Sequence, residues 1–266
     1  MRKHLIWVLV LAATLATAVM LSSVGGASAV PNIQTITGSF TPKKLPAHKK
    51  APISLFTDVA ATNPGNPNQL PNATTLSKVD YDQDGAFYQK GFPTCDSTQF
   101  TAATTTQQAK DLCSDALEGG GTSIIQIPST TGGPPININA TVTAFNGAHK
   151  TVVLFSYNTL SGAQTLIGQI GPADPGSPPT GAGPGYGITL TVPVPKLAGG
   201  SAVITEFNTR VHKTYHYKGK LRSIESSRCG PDKKLRIQAR FTDDQGQVAV
   251  GSSFQKCKQK SSHHHH

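Results

Sequence analysis

Charged side chains, tryptophan and cysteine are all scarce in this sequence. Only 14% of its 266 residues are Asp, Glu, Lys or Arg, cysteine occurs four times, and the single tryptophan is Trp7. Glycine (26 residues) and proline (19 residues) exceed ordinary usage but are too few for a collagen-like or low-complexity chain. This composition excludes a coiled coil, a wholly disordered chain and a membrane protein with several spans.

Signatures of common catalytic sites are also missing. The sequence has no G-x-S-x-G motif, no S-x-x-K accompanied by a K-T-G, and no Walker A lysine. This result favours a protein that is not an enzyme. A hydrolase whose active site is assembled from distant residues stays open as the alternative.

The first 29 residues have the three parts of an export signal. A basic start at residues 2–4 precedes an apolar run over residues 5–21, and the small residues Ala27 and Ala29 follow. We expect a signal peptide over residues 1–29, cleaved after Ala29, and a secreted, extracellular protein without integral membrane association. The apolar run is also about long enough to cross a bilayer once, so an uncleaved anchor is the alternative.

Cysteines occur in an even number, at Cys95, Cys113, Cys229 and Cys257. Disulfides form in oxidising compartments, and no C-x-x-C or zinc-ligand spacing accompanies these cysteines. Three pairings are possible. We favour the two local bonds, Cys95–Cys113 and Cys229–Cys257, each of which would stabilise the fold by about 3 kcal/mol in the chain-entropy model.

Residues 30–52 form a basic arm that contains several prolines. Such a segment is typical of a linker, or of a strip lying along the edge of the domain that follows. The lysines of the arm are Lys43, Lys44, Lys49 and Lys50.

From residue 53 to residue 260 the apolar residues mostly alternate with polar ones. Residues 136–144 show the alternation clearly, and Asn146-Gly147 after them predicts a hairpin turn. Further strands are predicted at residues 151–157, 188–192, 202–207 and 235–241. The pattern predicts a mainly β fold: an antiparallel β-sandwich, immunoglobulin-like or jelly-roll-like, with one short helix and local disulfides.

A proline- and glycine-rich stretch interrupts the domain at residues 171–187, which predicts a long surface loop or an interdomain linker. We favour one domain over residues 53–260 with this loop as an excursion. The alternative is a separate small sheet in residues 188–260. Residues 261–266 hold a run of histidines, either an expression-tag remnant or a native tail.

One amphipathic helix is predicted after Thr105, because Thr105 and Gln108 fit a capping box. The glycines at residues 119–121 would end this helix. Its apolar stripe consists of Ala109, Leu112, Cys113, Ala116 and Leu117.

Asp80, Asp82 and Asp84 alternate in the run D-Y-D-Q-D-G, which matches the first half of an EF-hand calcium loop. The glutamate expected at the twelfth position is absent, because Gly91 stands there. In a strand the three carboxylates would instead share one solvated face, and Gly85 would turn a hairpin. We favour that structural interpretation. A calcium-stabilised adhesion module is the alternative, and no other cofactor is predicted.

A basic hairpin that carries tyrosines is predicted near residue 218. It lies in the most cationic part of the chain, because residues 200–260 hold 13 basic and 5 acidic side chains. We predict an anion-binding face there, although lysines on an edge strand also protect against aggregation. The residues of this face are His212, Lys213, Tyr215, His216, Lys218, Lys220 and Arg222.

Several runs of the sequence carry a family resemblance: residues 78–95, Cys113 with Ala116, residues 119–121, residues 144–147 and residues 192–195. With these runs the chain resembles a family of secreted bacterial proteins that have no assigned activity. The resemblance implies a single exported β-rich domain with a Cys95–Cys113 bond. It implies no function.

The sequence therefore predicts a secreted, non-enzymatic extracellular or cell-envelope protein. Its expected partner is an anionic cell-surface polymer or polysaccharide, bound through the arm and the basic hairpin. Nucleic acid is not an expected partner of an exported chain.

Overall fold

The computed structural model describes residues 32–66 and 68–260. The predicted signal peptide (residues 1–29) and the histidine tail (residues 261–266) lie outside the described residues. Within the described part, no helix has the length and apolar character needed to cross a membrane.

Eighteen strands and one α-helix occur in the described residues. The strands are β1 (Ile33–Thr41), β2 (Lys44–Leu45), β3 (Ala51–Pro52), β4 (Ser54–Thr62), β5 (Thr74–Asp82), β6 (Gly85–Phe87), β7 (Leu117–Ile127), β8 (Ile136–Asn146), β9 (Thr151–Asn158), β10 (Gly162–Pro172), β11 (Tyr186–Pro193), β12 (Val203–Val211), β13 (Thr214–Tyr217), β14 (Lys220–Ser223), β15 (Glu225–Ser227), β16 (Lys234–Asp243), β17 (Val248–Lys256) and β18 (Lys258–Gln259). The helix is α1 (Thr106–Leu112), and short 3-10 turns occupy Ser97–Gln99, Ser114–Ala116 and Ala198–Gly200.

Eleven strands form one antiparallel sheet in the order β1-β4-β12-β7-β8-β9-β10-β11-β5-β16-β17. The sheet curls until its two edge strands face each other. The backbone N–H of Gly38 donates to Ser253 Oγ at 3.2 Å, and that of Phe40 donates to Gln255 Oε1 at 2.6 Å. The predicted mainly β, antiparallel, sandwich-like fold with one α-helix is confirmed, and its facing layers belong to one continuous sheet.

Strand β9 carries an unbroken apolar run, residues 152–155, because both of its faces are covered. Val152 and Leu154 point into the interior of the curled sheet, where the cluster they belong to packs against Phe207 of β12. Val153 and Phe155 point outward into a second cluster with residues of the helical segment. A strand buried on both faces loses the simple alternation of apolar and polar residues, as this run does.

Helix α1 begins as predicted but ends earlier. Thr105 caps it through the expected capping box with Gln108, and the last helical residue is Leu112, which is exposed. The prediction that residues 119–121 end the helix is wrong, because they lie in β7. A Cβ on Gly119 or on Gly121 would come within 2.0 Å of a carbonyl oxygen of β12, so glycine permits this close strand pairing.

The predicted hairpin turns are present. The N–H of Gly147 donates to the carbonyl of Thr151 at 2.9 Å between β8 and β9. Lys218 (φ 50°) and Gly219 (φ 70°) form the two-residue turn between β13 and β14, and positive φ at both positions matches the twist of a tight hairpin.

Long connections gather at one end of the sheet, which we call the capped end: the end at which β1, β5 and β12 finish. It carries residues 83–116, residues 212–233 and the arm. Both disulfides lie there, and the favoured pairings Cys95–Cys113 and Cys229–Cys257 are confirmed. We call the opposite end the far end; it carries the connections 63–73, 128–135 and 194–202.

The arm belongs to the fold. Its first part is the edge strand β1, paired with β4. Further along, β2 pairs in parallel with the C-terminal β18, and β3 pairs with β15. The arm therefore runs from the C-terminal residues to the base of the hairpin β13–β14.

The proline- and glycine-rich loop at residues 173–185 lies over the outer face of β5 and β16. Gln238 and Arg240 of β16 donate to the carbonyls of Ala182 and Thr180, at 3.0 Å and 2.9 Å. The strands on either side of this loop, β10 and β11, pair with each other. Strands that precede and follow the loop thus share one sheet.

Candidate functional site

Asp80 lies on the outer face of β5, where it is completely buried beneath the 173–185 loop (0% exposed). Arg240, itself 3% exposed, donates to both carboxylate oxygens of Asp80 at 2.9 Å. Thr189 and Gln238 donate two further hydrogen bonds to the same carboxylate, at 2.6 Å and 3.0 Å. The result is a fully paired charge inside the protein.

Asp82 and Asp84 follow the same pattern. Asp82 accepts hydrogen bonds from the backbone N–H and a guanidinium N–H of Arg236, at 3.0 Å and 3.1 Å. Burial raises the pKa of Asp82, and the backbone N–H groups of Asp84 and Arg236 oppose that shift. Asp84 accepts from Arg228 Nε at 2.7 Å.

Asp80 and Asp82 share one face of β5, as the alternation predicts, but that face is buried rather than solvated, and Asp84 is also buried in the turn between β5 and β6. The reason is the 173–185 loop and the arginines that follow far along the chain. No group of three or more His, Cys, Asp or Glu side chains suited to a metal ion occurs in residues 32–66 and 68–260. The calcium interpretation stays a prediction, and each carboxylate has an arginine as its partner.

The hairpin β13–β14 divides the predicted anion-binding residues between two faces. Tyr215 pairs with Arg222 across the strands on the face that meets residues 88–93. Tyr215 Oη donates to the carbonyls of Tyr88 and Lys90 at 3.0 Å, and its ring lies 4.9 Å from the ring of Phe92. His212 and His216 lie exposed on the other face.

Three of the predicted cations lie over the protein's own aromatic rings, and one of them is Lys218, whose Nζ lies 5.7 Å from the centre of the Tyr217 ring. The Arg222 guanidinium lies 5.0 Å from the centre of the Tyr88 ring, and Lys213 Nζ lies 5.9 Å from that of Phe92. Lys218 and Lys220 are exposed at the tip. The predicted anion-binding residues do not converge on one point.

A denser group of cations lies beside the arm at the capped end. Lys44 pairs with Lys258 across β2 and β18, and the backbone N–H of Lys258 donates to the carbonyl of Lys43 at 2.8 Å. The N–H of Cys257 donates to the carbonyl of Lys233 at 3.0 Å, which adds a third segment of the chain. We call the exposed lysines of these segments the basic face: Lys43, Lys44, Lys49, Lys50, Lys233, Lys256, Lys258 and Lys260.

Little negative charge opposes the basic face. Asp232 is the only acidic residue in segments 43–50, 228–236 and 254–260, and its carboxylate is paired with Arg236. Burial and the neighbouring Arg228 lower the pKa of Lys50. Asp82 and Asp84 oppose that shift, so two carboxylates, each paired with an arginine, also lie near Lys50.

A cavity of about 140 Å³ occupies the interior of the curled sheet. Its walls are mainly apolar and come from strands on opposite sides, with Leu154, Leu190 and Phe207 among them. Exposed Pro195 and Lys196 line it at the far end, so solvent can reach it there. Two glutamates, Glu118 and Glu225, line it at the capped end.

Both glutamates are buried, at 4% and 2% exposure. Oε1 of Glu118 and both carboxylate oxygens of Glu225 have no hydrogen-bond partner. Burial raises the pKa of Glu118 from 4.5 to about 7, against a hydrogen bond from Gln89 that lowers it. Burial also raises the pKa of Glu225 well above its usual value, the charge of Glu118 adds to this, and only two nearby backbone amides oppose it.

Local backbone structure explains how the two side chains reach the interior. Glu118 is the extra residue of a β-bulge between β7 and β8, since Leu117 pairs with Phe145 and Gly119 with Ala144. A bulge redirects the side chain it contains. Glu225 is the first residue of the short strand β15. The backbone carbonyl of Glu225 accepts a hydrogen bond from the N–H of Ile53 at 3.2 Å.

The sequence interpretation missed this pair. Glu118 precedes three glycines that were assigned to a helix end, and Glu225 follows the predicted hairpin. One signal was available: the whole chain contains three glutamates, and these two lie beside apolar or small residues.

No protein-family model, no curated protein and no solved structure matches this chain. The resemblance to a family of secreted bacterial proteins stays a prediction. By its fold the chain is an antiparallel β protein whose single large sheet encloses an interior cavity.

Proposed function

We propose that this chain is an exported, non-enzymatic protein that binds an anionic cell-surface polymer through the basic face. The observation that carries the proposal is the convergence of lysines from the arm, from residue 233 and from the C-terminal strands on one end of the sheet. The arm was expected to act with the hairpin. Lys43 and Lys44 lie instead beside the C-terminal strand β18, and Lys50 donates to the carbonyl of Gly85.

Charge density supports this role. Eight exposed lysines create a positive potential that attracts a polyanion and holds it by many weak contacts, and the nearby carboxylates of Asp232, Asp82 and Asp84 are each paired with an arginine. Two disulfides and a β-rich fold are consistent with an oxidising, extracellular location.

Retention on immobilised dextran sulfate, and on purified cell envelope, tests the proposal. We expect binding that weakens steeply as salt rises from about 50 to 200 mM, because displaced counterions drive polyanion binding. The variant Lys44→Gln/Lys256→Gln/Lys258→Gln should elute at clearly lower salt than the unchanged protein.

The matched control removes lysines from the hairpin instead. Lys213→Gln/Lys218→Gln/Lys220→Gln carries the same loss of charge, so a basic-face site predicts a smaller effect from it. Equal effects would show that binding depends on net charge alone. A larger effect in the control would show that the hairpin is the binding site. Neutral dextran should retain none of these proteins.

The other hypotheses stay predictions. A hydrolase would need a convergent set of catalytic groups, and calcium-stabilised adhesion would need a melting temperature that responds to calcium and to chelator.

A further inference from the structure

The glutamate pair at the capped end of the cavity is not explained by folding. A buried carboxyl group without a hydrogen-bond partner destabilises the folded state. Buried polar groups are nearly always paired, so an exception calls for a functional reason. Oε1 of Glu118 and both carboxylate oxygens of Glu225 are such exceptions, and both residues line one cavity.

In the described part of the chain, no lysine or arginine forms an ion pair with either glutamate. Among the described residues that line the cavity, Lys196 is the sole lysine or arginine, and it lies exposed at the far end. At the capped end the backbone amides of Lys213 and Glu225 lie close enough to lower the pKa of Glu225, but they supply no positive charge.

The number of free acceptors indicates the kind of group that fits. Three carboxylate oxygens lack partners: Oε1 of Glu118, and Oε1 and Oε2 of Glu225. A primary ammonium group carries three N–H donors and one positive charge. It would donate to all three free oxygens and offset the negative charge of the carboxylates. An alcohol, in contrast, offers a single donor and no charge.

The size of the cavity limits the rest of the ligand. An apolar cavity of about 150 Å³ accommodates a molecule the size of benzene. This cavity measures about 140 Å³, and apolar side chains such as Leu154 and Phe207 form its walls. A single ring or a short alkyl chain fits, whereas a long acyl chain or a polysaccharide does not.

We infer that the interior cavity binds a small primary amine with an apolar body, its ammonium group held by Glu118 and Glu225 at the capped end. The site is separate from the basic face, which repels such a cation. The amine-binding inference can therefore be tested independently of the proposed polymer binding.

Isothermal titration calorimetry at pH 8 with three probes of nearly equal size tests the inference. Benzylamine is a cation, benzyl alcohol is neutral and benzoate is an anion. Benzylamine should bind about tenfold or more tightly than benzyl alcohol, since hydrogen bonds to charged groups are the stronger ones. Benzoate should bind most weakly.

The variant Glu118→Gln/Glu225→Gln should lower benzylamine affinity to the level of benzyl alcohol and leave benzyl alcohol affinity unchanged. Asp115→Asn, which removes an exposed carboxylate on a 3-10 turn, is the control with no expected effect. Retained benzyl alcohol binding shows that the double variant is folded. NMR shift changes on benzylamine addition should centre on Leu154 and Phe207.

Two results would overturn the inference. One is equal binding of benzylamine and benzyl alcohol to the unchanged protein, or no binding of either. The other is benzylamine affinity that survives in the folded double variant. The probe series needs no substitution, so a variant that fails to fold leaves the first comparison intact.

Discussion

Buried carboxylates occur in two regions of this molecule and are treated in opposite ways. On the outer face of β5 and in the turn that follows it, Asp80, Asp82 and Asp84 each bond to an arginine. In the interior cavity, Glu118 and Glu225 leave three oxygens without partners. Burial is similar in both regions, so exposure alone does not tell a structural carboxylate from a functional one. The difference lies in the partners.

Charge pairing in the aspartate row stabilises the fold, and it joins distant parts of the chain. Arg240 connects β16 both to Asp80 and to the loop carbonyl of Thr180. The unpartnered oxygens of the glutamate pair form no such connection between distant parts of the chain. We conclude that Asp80, through Gln238 and Arg240, holds the 173–185 loop in place and that the glutamates are available to a ligand.

Breaking a buried ion pair should produce the largest effect. Asp80→Asn leaves the Arg240 guanidinium buried without its bidentate partner, and we expect a loss of about 3 to 5 kcal/mol in the free energy of unfolding. Urea denaturation of this variant beside the unchanged protein measures the loss. The exposed control Asp115→Asn should change stability by less than about 0.5 kcal/mol. A similarly small change for Asp80→Asn would show that the ion pair of Asp80 with Arg240 does not stabilise the fold.

Stability should decrease as pH rises across the range in which Glu118 ionises. The pKa of Glu118 is raised from 4.5 to about 7 in the folded state, so the folded protein binds the proton more tightly than the unfolded chain. The penalty is absent below pH 4.5, grows with pH and is complete above pH 7, where it reaches about 3 kcal/mol.

Urea denaturation at a series of pH values between 4 and 8 measures this slope. Glu118→Gln should make the slope shallower, because the variant has no proton to lose at that position, and the raised pKa of Glu225 should account for slope that remains. Parallel profiles for the two proteins would show that Glu118 has an ordinary pKa in the fold.

Replacing an unpaired carboxylate should stabilise the protein at pH 8. Glu225→Leu removes two unpartnered oxygens from an apolar cavity, and we expect a gain of about 1 to 3 kcal/mol. Asp82→Asn is the matched comparison, because it removes a paired carboxylate and should destabilise. If both variants changed the free energy of unfolding in the same direction, paired and unpaired carboxylates would not differ in their effect on stability.

Much of the fold follows from local sequence signals. The strand at residues 136–144, the capping box of Thr105 with Gln108 and the Asn146-Gly147 turn each depend on neighbouring residues, and each is present. The two disulfides also join residues that are close in sequence. Local preferences and tertiary structure agree at these places.

The features that were missed depend on contacts across long stretches of sequence. Nothing near Asp80 indicates that a loop about a hundred residues later covers it. Glu118 needs the bulge opposite β8, and the helix predicted around it ends early because the glycines at residues 119–121 pair closely with β12. The arm similarly lies beside the C-terminal strands through pairing that its composition does not specify.

Carbon-13 labelling of glutamate provides the most direct test of the central claim, because the chain contains only three glutamates: Glu118, Glu206 and Glu225. NMR titration should give two carboxyl signals that titrate well above the usual value of 4.5, with Glu118 at about 7, and the variants Glu118→Gln and Glu225→Gln assign them. Three signals that all titrate near pH 4.5 would contradict the account.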